Sequence, residues 1–178
     1  MSRHPKGKCL AASTSDLRFA IWGKTMIVKD LAEFDVRACS PDADLASAAK
    51  IMWDGDCGAV PVVNTERKVI GMLTDRDICI AAATRAAAPP EIQVRDVMSK
   101  EVASCSIDDD VRTALKIMKD RRIRRIPVLD AQGDLAGILS INDLAMRADC
   151  RSGAAVPGEL FLETLKSICA HTHEPVTA

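Results

Sequence analysis

The segment GMLTDRD at residues 71–77 returns as GILSIND at residues 137–143, 66 positions further along the chain. Outward from this pair, the same shift aligns Val28–Ile80 with Val94–Met146 without a gap. Of these 53 aligned positions, 17 are identical. The register holds through Val62/Val128 and Asp77/Asp143, and through Pro61/Pro127 and Gly71/Gly137, residue types that punctuate a chain rather than fill it. The sequence is a tandem repeat, and that decides the fold.

Each copy reads as β-α-β-β-α. A short extended piece comes first, Val36–Cys39 or Val102–Cys105. Leu45, Ala48, Ala49 and Met52 then mark one face of a helix, as do Val111, Ala114, Leu115 and Met118. Asp42 and Asp108 stand just ahead, where a carboxylate can cap free amides. Two apolar runs follow in each copy, Val60–Val63 with Val69–Leu73 and Ile126–Leu129 with Leu135–Leu139. Polar loops join them as hairpins. A second helix starts at Thr74–Asp77 or Ser140–Asp143. The spacing predicts an α/β fold of two in-register repeats sharing a core, plus a C-terminal helix between Pro157 and His171 built on Leu160, Phe161, Leu165 and Ile168. The divisions are a mobile arm over 1–24, a first repeat over 25–88, a second over 89–148, and a linker with the terminal helix over 149–178.

Composition narrows the function. The 178 residues are 48% hydrophobic and only 3% aromatic, so the core is aliphatic. Lys plus Arg number 24 against 25 Asp plus Glu, which disfavours a dedicated nucleic-acid binder. Charges recur too often for the ~20 apolar residues of a membrane span. Seven irregularly spaced cysteines, without a CxxC, indicate neither a disulfide scaffold nor a zinc site and point to a cytoplasmic protein. His171 and His173 near Cys169 match no standard zinc spacing, so no metal is expected. No nucleophile–base constellation or phosphate-binding glycine loop is present, and an enzyme is not expected.

The candidates that remain are Thr74 with Asp77 and Ser140 with Asp143. Thr-x-x-Asp or Ser-x-x-Asp at a strand-to-helix junction is a capping box. The same groups suit a nucleoside, the carboxylate accepting from a ribose diol while the hydroxyl and helix N-terminus face phosphate. The glycine three residues ahead would let a ligand approach the backbone. Spacing alone leaves both readings open.

The repeat, the Pro-Val elements and the terminal GMLTDRD and GILSIND segments resemble cystathionine-β-synthase-type (CBS) domains, two of which form a Bateman module. The resemblance spans about Val28 to Met146. It implies a regulatory module binding adenosine-containing ligands, AMP, ADP or ATP above all, with S-adenosylmethionine or NAD-type compounds as alternatives and no required cofactor. It further implies a homodimer and a separate regulated protein partner. It assigns ribose and phosphate contacts to Thr74, Asp77, Ser140 and Asp143, and an adenine pocket to Ala38, Val60, Ser104 and Ile126.

Copy two also carries Arg121, Arg122, Arg124 and Arg125, where copy one has Gly55, Asp56, Gly58 and Ala59. Arg124 and Arg125 are phosphate candidates, expected to serve the Ser140–Asp143 site, with Arg76 compensating at the other. A solvated helix end is the plainer reading of the arginines. Rival functions are a nucleic-acid accessory protein using the Arg121–Arg125 stripe, a thiol redox sensor and a ligand-free adaptor.

Overall fold

The computed structural model describes residues 26–149 and 156–170; the expected 1–24 arm, His171 and His173 lie outside them. In the first repeat, helix α1 (Leu45–Asp54) leads to a hairpin of β1 (Ala59–Val63) and β2 (Val69–Thr74), then α2 (Asp75–Thr84). The second repeat gives β3 (Cys105–Ser106), α3 (Val111–Arg121), β4 (Arg125–Leu129), β5 (Leu135–Ser140) and α4 (Ile141–Ala145). Short strands β6 (Ala148–Asp149) and β7 (Val156–Pro157) precede α5 (Gly158–Cys169).

Local chemistry accounts for these elements. Asp44, not Asp42, caps α1, accepting from the Ser47 amide at 2.8 Å; Asp110, not Asp108, caps α3 through the Arg112 amide at 2.8 Å. The two hydrogen bonds from Ser47 hold the Asp44 carboxyl below its ordinary range. The hairpin loops close through Asx turns. Asn64 Oδ1 accepts from the amides of Glu66 and Lys68, and Asp130 Oδ1 from those of Gln132 and Asp134.

The buried aliphatic residues form two clusters, and the sharing expected between repeats takes the form of exchange. Val28, which opens the first repeat, is buried among Val111, Leu115, Met118 and Ile126 of the second. Val94, which opens the second, is buried among Leu45, Met52, Val62 and Leu73 of the first. Backbone bonds follow the crossing: the Val28 amide donates to the Asp109 carbonyl at 2.8 Å, and the Val94 amide to the Ala43 carbonyl at 2.8 Å. Further along each lead segment, Glu33 bridges to Ile138 and Ser99 to Met72.

This crossing corrects the role expected for the motif glycines. A Cβ on Gly137 would stand 2.7 Å from the Glu33 carbonyl oxygen, and one on Gly71 2.5 Å from Met98 Sδ. The space beside each glycine is taken by the other repeat's lead segment rather than left for a ligand. The C-terminal helix lies along α3. Ser167 Oγ donates to the Lys119 carbonyl at 2.9 Å, buried Thr164 donates to Leu160 within its own helix and lies 3.4 Å from the Leu115 carbonyl, and Phe161, Leu165 and Ile168 pack on the second core.

Candidate functional site

Both motif pairs are complete capping boxes. Asp77 Oδ2 accepts from the Thr74 amide at 2.9 Å and from Thr74 Oγ1 at 2.7 Å, and the Asp77 amide donates back to Oγ1 at 3.2 Å. Asp143 repeats this with Ser140 at 2.8, 2.7 and 3.3 Å. All the cap bonds to each carboxylate fall on Oδ2. The cap therefore does not consume Oδ1 of either residue, and one carboxylate can both cap a helix and accept from a ligand.

Two clefts border these caps, and they occupy corresponding places under the 66-residue shift. One, of about 560 Å3, is lined by Ser140, Asn142 and Asp143, by the lead-segment residues Asp35–Arg37, and by Asp54–Cys57 at the end of α1. The other, of about 500 Å3, is lined by Thr74, Asp75 and Arg76, by Glu101–Ala103, and by Arg122–Arg125 after α3. Each cleft thus takes its motif from one repeat and its lead segment and helix end from the other. Ile168 of α5 also borders the Thr74 cleft.

This cross-pairing corrects the expected partnership of the arginines. Arg124 faces the cleft of Thr74 and Arg76, not that of Ser140 and Asp143. Arg125 borders both clefts. It pairs with Ser140 across the β4–β5 hairpin, and its side chain follows Ser140 to that face. Asp143 lines its cleft, whereas Asp77, capping beside Thr74, is not a wall residue of the other.

None of the four adenine-pocket residues lines either cleft. Val60 and Ile126 are 1% and 0% exposed and belong to the two cores. Strand side chains alternate, so Ala59 and Arg125 face the clefts while their successors point inward. Ala38 lines a separate hollow of about 210 Å3 with Phe34 and Arg67. Ser104 is half-buried and follows Ala103, the last lead-segment residue in the Thr74 cleft. Sequence reasoning missed Asp35, Arg37, Asp56 and Arg122 as wall residues. The signal for Asp56 and Arg122 was their alignment with each other at a shared helix end.

Burial pushes the Cys39 thiol up to about 11; burial and the Asp109 charge push the Cys105 thiol up to about 12. Neither is a thiolate near neutral pH, as a redox sensor requires. Arg122, Arg124 and Arg125 line a concave cleft rather than forming a flat stripe. Among the described residues no cluster of His, Cys, Asp or Glu suits a metal ion, and no helix is long and apolar enough to cross a membrane.

The CBS domain family model matches residues 28–83 and 94–148. The chain belongs to the CBS domain family. An uncharacterized protein of Methanopyrus kandleri is 34% identical over 121 residues, 68% of this chain and 62% of that protein. Thus the chain spans less than two thirds of that relative's length. Among solved CBS structures, the CBS-domain protein ATU1752 of Agrobacterium tumefaciens is 34% identical with a TM-score of 0.61, covering 68% of this chain and 98% of that one. The CBS pair of protein MJ0100, crystallised with 5′-methylthioadenosine and S-adenosyl-L-methionine, shares the fold at 23% identity and a TM-score of 0.62, over 68% of this chain and 94% of that one.

Proposed function

We propose that this CBS pair is a non-catalytic regulatory module of the cytoplasm that binds adenosine-containing ligands in its two inter-repeat clefts and responds by a change of conformation or association. One observation carries the reading: each cleft is closed by both repeats, with a capping Ser or Thr on one side and the other repeat's helix end opposite. A ligand spanning them bonds differently to the closed and opened arrangements, and only such differential affinity can shift a conformational equilibrium. The adenosine compounds of the MJ0100 complex support the ligand class.

A homodimer accompanies this reading. A groove of about 510 Å3 between α1 and α2, lined by Ala49, Met52, Ile78 and Cys79, occupies on the first repeat the place that α5 covers on the second. Trp53 stands at its rim, 86% exposed. A second copy related by a two-fold axis supplies a matching indole to each groove.

A thermal-shift series with AMP, ADP, ATP, adenosine and S-adenosylmethionine tests the function. At ~100-fold excess over Kd a ligand adds about 2.7 kcal/mol, a Tm rise of roughly 5–10 °C for a chain of this size. No shift with any of the five would overturn the reading and favour the adaptor.

A further inference from the structure

We propose that the two clefts sort their ligands by charge: the Thr74 cleft takes an adenosine ligand that carries phosphate, and the Ser140 cleft takes an adenosine compound that carries none. This inference rests on the reading that the clefts bind adenosine-type ligands.

Corresponding positions of the two clefts differ in charge. Arg76 and Arg122 in the Thr74 cleft stand where the Ser140 cleft has Asn142 and Asp56, and Arg124 aligns with Gly58, which supplies no side chain to the Ser140 cleft. Two differences run in the opposite sense: Arg37 corresponds to Ala103, and Asp75 in the Thr74 cleft corresponds to the neutral Ile141. Arg125 borders both clefts and does not discriminate. The Thr74 cleft therefore presents four guanidinium groups against the carboxylates of Asp75 and Glu101. The Ser140 cleft presents two guanidinium groups against five carboxylates, those of Glu33, Asp35, Asp54, Asp56 and Asp143.

The two helix ends share one backbone geometry at the position where their charges are opposite. Asp56 and Arg122 both adopt the left-handed conformation, with φ of 46° and 53°. Their side chains leave equivalent points of the two helix ends with opposite charge. Of the five carboxylates, Asp54 holds Lys50 at 2.9 Å, while Asp35 and Asp56 make no salt bridge among the described residues. A triphosphate entering that cleft meets unneutralised like charge. In the Thr74 cleft it meets planar forks that bind two oxygens at once.

Calorimetric titration of the full chain with ATP and with adenosine tests the sorting, using wild type, Arg76→Asn/Arg124→Ala and Asp35→Asn/Asp56→Asn. The expected result is one tight equivalent of ATP for wild type. The arginine variant should lose at least tenfold in ATP affinity while adenosine binding stays within twofold. The aspartate variant should keep the first ATP site and gain a second. ATP filling two equal sites in wild type, or the arginine variant losing ATP and adenosine alike, would overturn the sorting and leave the functional reading standing. Absence of binding by both compounds would overturn the functional reading, and the sorting with it.

Discussion

The backbone amide of Glu33 donates to the carbonyl of Ile138 at 2.9 Å, and the amide of Ile138 donates back to the carbonyl of Glu33 at the same distance. Met72 and Ser99 make the corresponding pair at 3.1 and 2.9 Å. These two bridges stitch the lead segment of each repeat to the sheet of the other. They also carry Asp35–Arg37 and Glu101–Ala103 to the cleft walls, so the same crossing that completes the cores completes the sites.

If lead segments are core elements of the opposite repeat, Val28→Ala should loosen the second repeat. Val28 is 0% exposed, and removing its two methyl groups costs about 2 kcal/mol. Hydrogen exchange should accelerate first in α3 and β4 rather than in α1. Val94→Ala should show the reverse pattern.

Gly137→Ala should destabilise more than Gly71→Ala. The new methyl at 137 meets a backbone carbonyl at 2.7 Å, whereas the one at 71 first meets the flexible Met98 side chain, with the Ser99 carbonyl at 3.1 Å. The loss at 137 should be on the order of 1–3 kcal/mol, read from the urea midpoint.

The positions of the helices, hairpins and motif caps were legible in the sequence because each depends on neighbours within a few residues and occurs twice in register. Thr74–Asp77 and Ser140–Asp143 are such local devices. The cleft partners were not legible. Arg124 lies close to Ser140 along the chain, yet faces Thr74 and Arg76, because the clefts run across the repeats. Val60 and Ile126 stand outside the cleft walls for a similar reason: the strand alternation that buries them depends on which sheet face meets the core. The shift from Asp42 to Asp44 as the α1 cap reflects two acidic candidates within one turn, which composition cannot separate.

Glu163 gives the C-terminal helix a pH dependence. Its hydrogen bond and charge contact with Lys119, at 2.7 Å, hold the carboxyl below its ordinary value of 4.5. A depressed folded-state pKa stabilises above the unfolded value, and that contribution disappears as pH falls through the lowered value. Hydrogen-exchange protection of α5, corrected for intrinsic rates, should fall with acidification below 4.5. In Glu163→Gln this dependence should flatten, with the protection already reduced at neutral pH. The pair is exposed, so the effect should be small.

Trp53→Glu should convert a dimer into a monomer. Sedimentation at micromolar concentration should give about twice the 19.2 kDa chain mass for the parent protein and the chain mass for the variant. Equal masses for the two would remove the α1–α2 groove from the interface.

The most direct measurement is an amide NMR titration of the full chain with AMP, following Thr74–Arg76, Ser140–Asp143 and the lead segments at 35–37 and 101–103. The account predicts saturable shifts confined to at least one of these cross-repeat sets, with motif and lead-segment amides of the same cleft moving at one common affinity. Shifts confined to the outer faces of α1, α3 and α5, or no shift at millimolar AMP, would contradict it.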